Sequence, residues 1–251
     1  MSHPGNPQSQ PGIEIRERGA PRDGQPQWLD RRLFMRLTAF EAPAGSSAAA
    51  ASARLAQSLT ERRIEAVIYA DVNHPLGFAV VALAEDPGLF TGSLREAESE
   101  VITGFGLRVN TDFSMLGRTY STGFEPDLAF WLLERPRQTL LEAAWDWAVW
   151  YPLRRRGPFE RLEGRERGAI LKEHAEIGRA YGEHDLAHDI RLCCHGLDPN
   201  DNDFVIGLIG KDLYPLSHVV SAMRRTRQTA EFIEHMGPFF VGRVIHRIAA
   251  K

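Results

Sequence analysis

Between Glu163 and Tyr181 the apolar residues Ile170, Ile177 and Tyr181 recur at helical spacing, and His174 falls on their face, four residues after Ile170 and three before Ile177. An imidazole turned inward on such a helix has two readings. One is a core histidine hydrogen-bonded to a carbonyl. The other is a metal or heme ligand, because neutral imidazole is a common ligand and heme sits in apolar surroundings.

Upstream, Trp145, Trp147 and Tyr151 alternate at strand spacing and lead through Pro152 and Leu153 into Arg154, Arg155 and Arg156. A phenol thus ends an aromatic stripe beside a cationic cluster. Three arginines in a row are the composition of a solvated turn, and equally of a site for a ligand with several carboxylates, which fork-shaped guanidinium donors match. Downstream, His184, His188 and His195 are interleaved with Asp185, Asp189 and Asp198. If Asp189–His195 is a strand, Asp189, Arg191, Cys193 and His195 share one face, and Ile190, Leu192 and Cys194 the other. That polar face is either solvated or a non-heme metal site, although His184 and His188 complete no known ligand motif. Gly104-Phe105-Gly106 lacks the strand and helix of a nucleotide loop, and no Walker loop, CxxC or Ser-His-Asp ordering occurs.

These residues need a scaffold, and 251 residues with 43% hydrophobic and 25% charged content can bury one. With 30 Lys+Arg against 33 Asp+Glu, no basic field recruits nucleic acid or an anionic membrane. No stretch approaches the roughly 20 apolar residues of a membrane helix. Cys193 and Cys194 are adjacent and poorly placed to bridge each other, which points to a reducing, cytoplasmic compartment and to buried strand filler. Residues 1–28 are rich in Pro, Gly, Gln and charge, and read as a disordered tail.

From Leu33 onward the periodicities predict strand Leu33–Phe40, helix Ser46–Arg63, strands Ile64–Ala70 and Phe78–Ala84, helix Leu94–Ile102 and strand Phe113–Tyr120. The second half repeats this order. Strand Trp145–Tyr151 is followed by helix Glu163–Tyr181, strands Asp189–His195 and Asp203–Ile209, helix Leu216–Arg224 with Thr226–Met236 extending or following it, and strand Pro238–Ile248. Two β-α-β-β-α-β units make an α+β fold of tandem ferredoxin-like modules with antiparallel sheets that cover each other, of the dimeric α/β-barrel type. The halves are 29–140 and 141–251.

Over Trp145 to Val244 the chain resembles the chlorite dismutase superfamily, which holds chlorite dismutases and coproheme decarboxylases. The matching stretches are Tyr151-Pro152-Leu153, Glu173-His174, Ile177-Gly178-Arg179 with Tyr181, Gly196-Leu197-Asp198, Asp203-Phe204-Val205, Met223-Arg224 and Gly237 to Gly242. The resemblance implies heme b or iron coproporphyrin III (coproheme) as cofactor, a porphyrin with peroxide or chlorite as small-molecule substrate, and a homo-oligomer, often a pentamer. It makes His174 the iron ligand and Tyr151 the residue oxidised to a radical that attacks a propionate. Arg155, with Arg154, would bind carboxylates, and Leu153 and Ile177 would line the porphyrin. The distal residue falls on Arg191 or on Asp189, depending on how a loop is aligned. Tyr151 with its basic neighbours, 23 residues before His174, makes coproheme decarboxylation the expected activity, and Arg191, the chlorite dismutase residue, gives chlorite or peroxide chemistry as the alternative. The family glutamate that polarises the proximal histidine falls on Arg227. That departure, with His184, His188 and His195, keeps a non-heme metal-binding or structural member as a third expectation.

Overall fold

The computed structural model describes residues 12–249. Two short strands, β1 (Glu17–Arg18) and β2 (Trp28–Leu29), pair with each other at the start of this range. The expected tail over 12–28 is therefore ordered, and residues 1–11 lie outside the described residues. The reason is polar anchoring that composition does not reveal. The Gln27 side-chain amide donates to the Ala20 and Pro126 carbonyls, and Ala20 N–H donates to the Glu125 carbonyl at 3.0 Å.

The first module runs β3 (Phe34–Glu41), α1 (Ala48–Glu61), β4 (Ala66–Asp71), β5 (Gly77–Ala84), a single turn α2 (Gly88–Thr91), α3 (Ser93–Phe105) and β6 (Arg108–Arg118). Ser47 caps α1 by accepting the Ala50 N–H, and Gly106 ends α3 in the left-handed region. Glycine at that position is thus a helix stop, not part of a phosphate loop. A π-helical turn, Phe130–Glu134, continues into α4 (Arg135–Leu141), an element that the sequence periodicity does not announce.

The second module runs β7 (Trp147–Arg155), a 3-10 turn Gly157–Arg161, α5 (Gly164–Glu183), β8 (His188–Cys193), β9 (Phe204–Gly210), α6 (Leu213–Met223), α7 (Arg227–Phe232), β10 (Ile233–Met236) and β11 (Phe240–Ile248). Where helix was expected through Met236, the chain leaves α7 at Ile233. Its backbone then pairs with the far end of β7, Met236 opposite Leu153 and Ile233 opposite Arg155.

The strands order as β10-β7-β11-β4-β5-β3-β6-β8-β9, and β7 pairs with β9 along its other edge, so the sheet closes on itself. Closure leaves almost no free edge, which is how antiparallel sheets avoid open ladders. The last joint is a single pair, Arg118 opposite Cys193. It depends on Gly117, where a Cβ would lie 2.7 Å from the Leu192 Cβ.

Period-two alternation then sorts side chains between three apolar layers. Met35, Leu37, Tyr69, Val81, Trp150 and Phe240 fill the barrel interior. The outer face of the first module packs under α1 and α3 through residues such as Phe40, Leu55, Phe78 and Leu94. On the second module, Val149, Tyr151, Leu153, Cys193, Phe204 and Leu208 form the outer layer, against which Ile177 and Tyr181 of α5 and Met223 of α6 pack. Among the described residues no helix is long and apolar enough to cross a membrane.

Candidate active site

Strand register places the chemistry. On the outer face of the second module, Tyr151 of β7 lies opposite Ile206 of β9, and Ile206 lies opposite Arg191 of β8. The row on one side of it is Leu153, Phe204 and Cys193, and on the other Val149, Leu208 and Asp189. Asp189, Arg191 and Cys193 thus share the Tyr151 face, as period-two alternation predicts for β8. Trp145 is the exception to the aromatic stripe. It precedes β7 and stacks instead on His188, with ring centroids 3.6 Å apart.

Tyr151 is buried, with its ring stacked on Phe239 at 4.5 Å. Burial pushes its phenol far above the ordinary range. Asp189 adds to this and Arg224 partly offsets it, so the group is neutral at physiological pH.

His174 comes from α5, whose Ile177 and Tyr181 pack on this layer. Its imidazole is pushed down to about 4, by burial first and by the Arg155 and Arg191 cations second. Nδ1 lies 3.4 Å from the Thr226 hydroxyl, which itself donates to the Met223 carbonyl at 2.8 Å. A hydroxyl whose hydrogen is committed can only accept, so Nδ1 carries the proton and Nε2 keeps its lone pair. Thr226 is also the N-cap of α7. Arg227, expected beside the histidine, turns outward to Glu166 at 2.8 Å and Glu231 at 2.9 Å. The neighbour that orients His174 is therefore the neutral Thr226.

The arginine triplet is split by alternation and by the bend at the end of β7. Arg155 is sandwiched between Phe159 and Phe204, its guanidinium carbon 4.5 and 4.4 Å from the ring centroids. Its Nε is buried without a partner, and its nearest carboxylate is Glu160 at 3.8 Å. Arg154 points the other way. Its Nε donates to the Asp201 carbonyl at 2.8 Å and its terminal nitrogen to the Asn200 carbonyl, so it ties down the β8–β9 loop and is not brought into the site. Leu153 and Ile177 lie in the same apolar layer as Tyr151.

Asp189 and Arg191, alternatives at the sequence level, form one unit. Asp189 holds Arg191 Nε at 3.0 Å and is itself held by Arg135, at 2.6 Å to its carboxylate and 3.0 Å to its carbonyl. Burial works against the Asp189 charge, but the two arginines outweigh it and leave the carboxyl below its usual range. Arg191 presents its guanidinium to a cleft of about 20 Å³ lined by Thr119, Tyr120, Glu125, Trp131 and Arg135. That is room for a molecule the size of water or slightly larger.

The three other histidines are dispersed. His184 caps α5 by bonding the Ala180 carbonyl, His188 pairs with Asp185 at 2.9 Å, and His195 pairs with Asp203 at 3.3 Å. Among the described residues no group of three His, Cys, Asp or Glu side chains could hold a metal.

Residues missed at the sequence level are Thr226, Arg135 and the Phe159–Phe204 sandwich. Thr226 opening a T-x-x-T start is a readable cap signal. Arg135 acts across 54 residues and has no local one.

The chain's own groups fit an iron porphyrin: a neutral imidazole with Nε2 free, an apolar layer, and a buried guanidinium with an unpartnered nitrogen for a carboxylate. A family profile described as Chlorite dismutase matches residues 92–245, and so reaches well into the first module. A solved structure provisionally described as a chlorite dismutase superposes with a TM-score of 0.69 at 16% identity, over 86% of this chain and 95% of that one. A heme-binding protein from Thermus thermophilus superposes at 0.64 with 19% identity, over 86% and 92%. Chlorite dismutase from Candidatus Nitrospira defluvii, in complex with imidazole, gives 0.62 at 16%, over 86% and 92%. At these identities the likeness is one of fold. No curated protein sequence matches the chain.

Proposed function

The chain belongs to the chlorite dismutase family, and from that premise we propose that it is a heme-type oxidoreductase acting as a coproheme decarboxylase, with hydrogen peroxide as oxidant. The reading is carried by Tyr151. A neutral, buried phenol lies in register with Arg191, in the apolar layer that Ile177 joins from the His174 helix.

His174 would hold the porphyrin iron through Nε2, Leu153 and Ile177 would line the macrocycle, and Arg155 would take a carboxylate. When bound, the iron porphyrin would activate the peroxide that supplies the oxidising power, and in this reading it is also the substrate. Each propionate that becomes a vinyl group releases carbon dioxide, a proton and two electrons, and one peroxide takes up those two electrons, that proton and one more from solvent to give two waters. Tyr151 is suited to pass one electron at a time. Its phenol has no tendency to ionise, so what it gives up is a hydrogen atom. Arg155 and Arg191 would offer positive charge to the substrate's carboxylates.

A second reading, chlorite or peroxidase chemistry, is favoured by the Arg191 guanidinium at a water-sized cleft, which suits an anionic oxidant. Oxygen release from chlorite, lost in Arg191→Ala, would support it.

The test is an absorption titration with ferric coproheme, then peroxide and mass analysis of the porphyrin. Stepwise loss of two carboxylates by wild type, with Tyr151→Phe binding normally but losing none, is the expected result. Decarboxylation by Tyr151→Phe at the wild-type rate overturns the mechanism.

A further inference from the structure

The β8–β9 hairpin assembles Cys193, His195 and Asp203 into a relay that the decarboxylation reading does not use. Cys193 Sγ lies 3.3 Å from His195 Nδ1, and His195 Nε2 lies 3.3 Å from Asp203 Oδ1. A carboxylate only accepts, so Nε2 carries the ring proton and Nδ1 is left to accept the thiol S–H. Asp203 is fixed in turn. Its Oδ2 accepts the Arg155 backbone N–H at 2.7 Å, and its carbonyl accepts the Cys194 N–H at 2.9 Å. A thiol, a base within hydrogen-bond reach and a carboxylate orienting that base are the parts of an activated nucleophile.

Cys194 makes the contrast. It faces the barrel interior, its S–H donates to the Asn202 carbonyl at 3.0 Å, and burial pushes its thiol far up, so it is an unreactive neighbour.

Placement selects the electrophile. Cys193 sits on the Tyr151 and Arg191 face, one register row from Arg191, and only 5% of it is exposed. So little exposure disfavours bulky electrophiles and favours a small one. We infer that Cys193 is a peroxide-reactive thiol, activated by His195 and Asp203 and oxidised to the sulfenic acid. His195 Nδ1 takes the thiol proton. The thiolate sulfur attacks one peroxide oxygen, the S–O bond forms as O–O breaks, and the departing hydroxide takes the proton from the imidazolium. Cys–SH and hydrogen peroxide become Cys–SOH and water. The oxidant is the one the proposed decarboxylation consumes, so the thiol would register peroxide in excess of substrate. That use rests on the decarboxylase reading, while the thiol chemistry does not.

The experiment exposes the full-length, porphyrin-free protein to hydrogen peroxide in the folded state, removes the excess with catalase, and then unfolds it in urea containing dimedone, which traps sulfenic acids, with adducts located by tandem mass spectrometry. The expected adduct is on Cys193, is absent in Cys193→Ser and persists in Cys194→Ser. His195→Ala, an exposed position that leaves the fold intact, slows labelling at least tenfold. The chain exposed to peroxide while unfolded in urea labels more slowly than the one exposed while folded. Labelling on Cys194, a rate indifferent to His195→Ala, or a folded rate below the unfolded rate overturns the inference. Because no porphyrin is present, failure here is distinguishable from failure of the decarboxylase reading.

Discussion

Replacing His174 by glutamine should remove a specific acid sensitivity from the porphyrin-free protein. The imidazole titrates at about 4 in the fold against 6.5 when unperturbed, because burial and the Arg155 and Arg191 charges disfavour its cation. The sign follows from linkage. A histidine whose folded value is depressed binds its proton more readily when unfolded, so its contribution is complete above pH 6.5. The contribution is lost as the pH falls below 6.5, and the loss levels off near pH 4. At about 1.4 kcal/mol per pH unit, going from pH 7 to pH 5 costs the wild type about 2 kcal/mol through this one group. Glutamine keeps an N–H donor for Thr226 and does not titrate. In urea unfolding at pH 7, 6 and 5, the wild-type stability should therefore approach that of His174→Gln by about 2 kcal/mol as the pH falls. Parallel curves would mean that His174 is not a desolvated neutral imidazole, and the argument for a free Nε2 lone pair would fall with it.

Three further substitutions probe the surroundings. Arg155→Met removes a desolvated, underpaired cation. The porphyrin-free protein should hold or gain stability, by up to about 1 kcal/mol, while coproheme affinity drops at least tenfold. Urea unfolding and absorption titration read both, and lost stability with unchanged affinity would contradict it. Thr226→Val removes the α7 cap and the His174 acceptor together. It should cost about 1 kcal/mol by urea unfolding and weaken ferric porphyrin binding about tenfold. Gly207→Ala places a methyl group 2.5 Å from the Trp150 ring inside the barrel, which should lower stability by about 2 kcal/mol or more, and a variant of wild-type melting temperature would show that the interior yields there.

Most of the architecture was legible along the chain because it follows from local rules. Alternation at period two and recurrence at 3.6 located nearly every strand and helix of both modules, and the inward face of α5 singled out His174. The same alternation placed Asp189, Arg191 and Cys193 on one face of β8. It also separates Arg155 from Arg154, a distinction lost when three arginines are read as one cationic patch. The ordered segment at 12–28 was missed because its anchors, Gln27 and Ala20 bonding near Glu125, lie about a hundred residues away.

Composition, periodicity and motif spacing by themselves determined the fold class, the helix that carries the imidazole and the strand that carries the phenol, since each depends on residues within a few turns of one another. Tertiary structure alone decided that the barrel closes through Arg118 and Cys193, that Thr226 and not Arg227 meets His174, and that Arg135 locks Asp189 to Arg191. Those contacts join residues about 50 or more apart, and strand register and side-chain direction, which no local pattern encodes, set which partner is met.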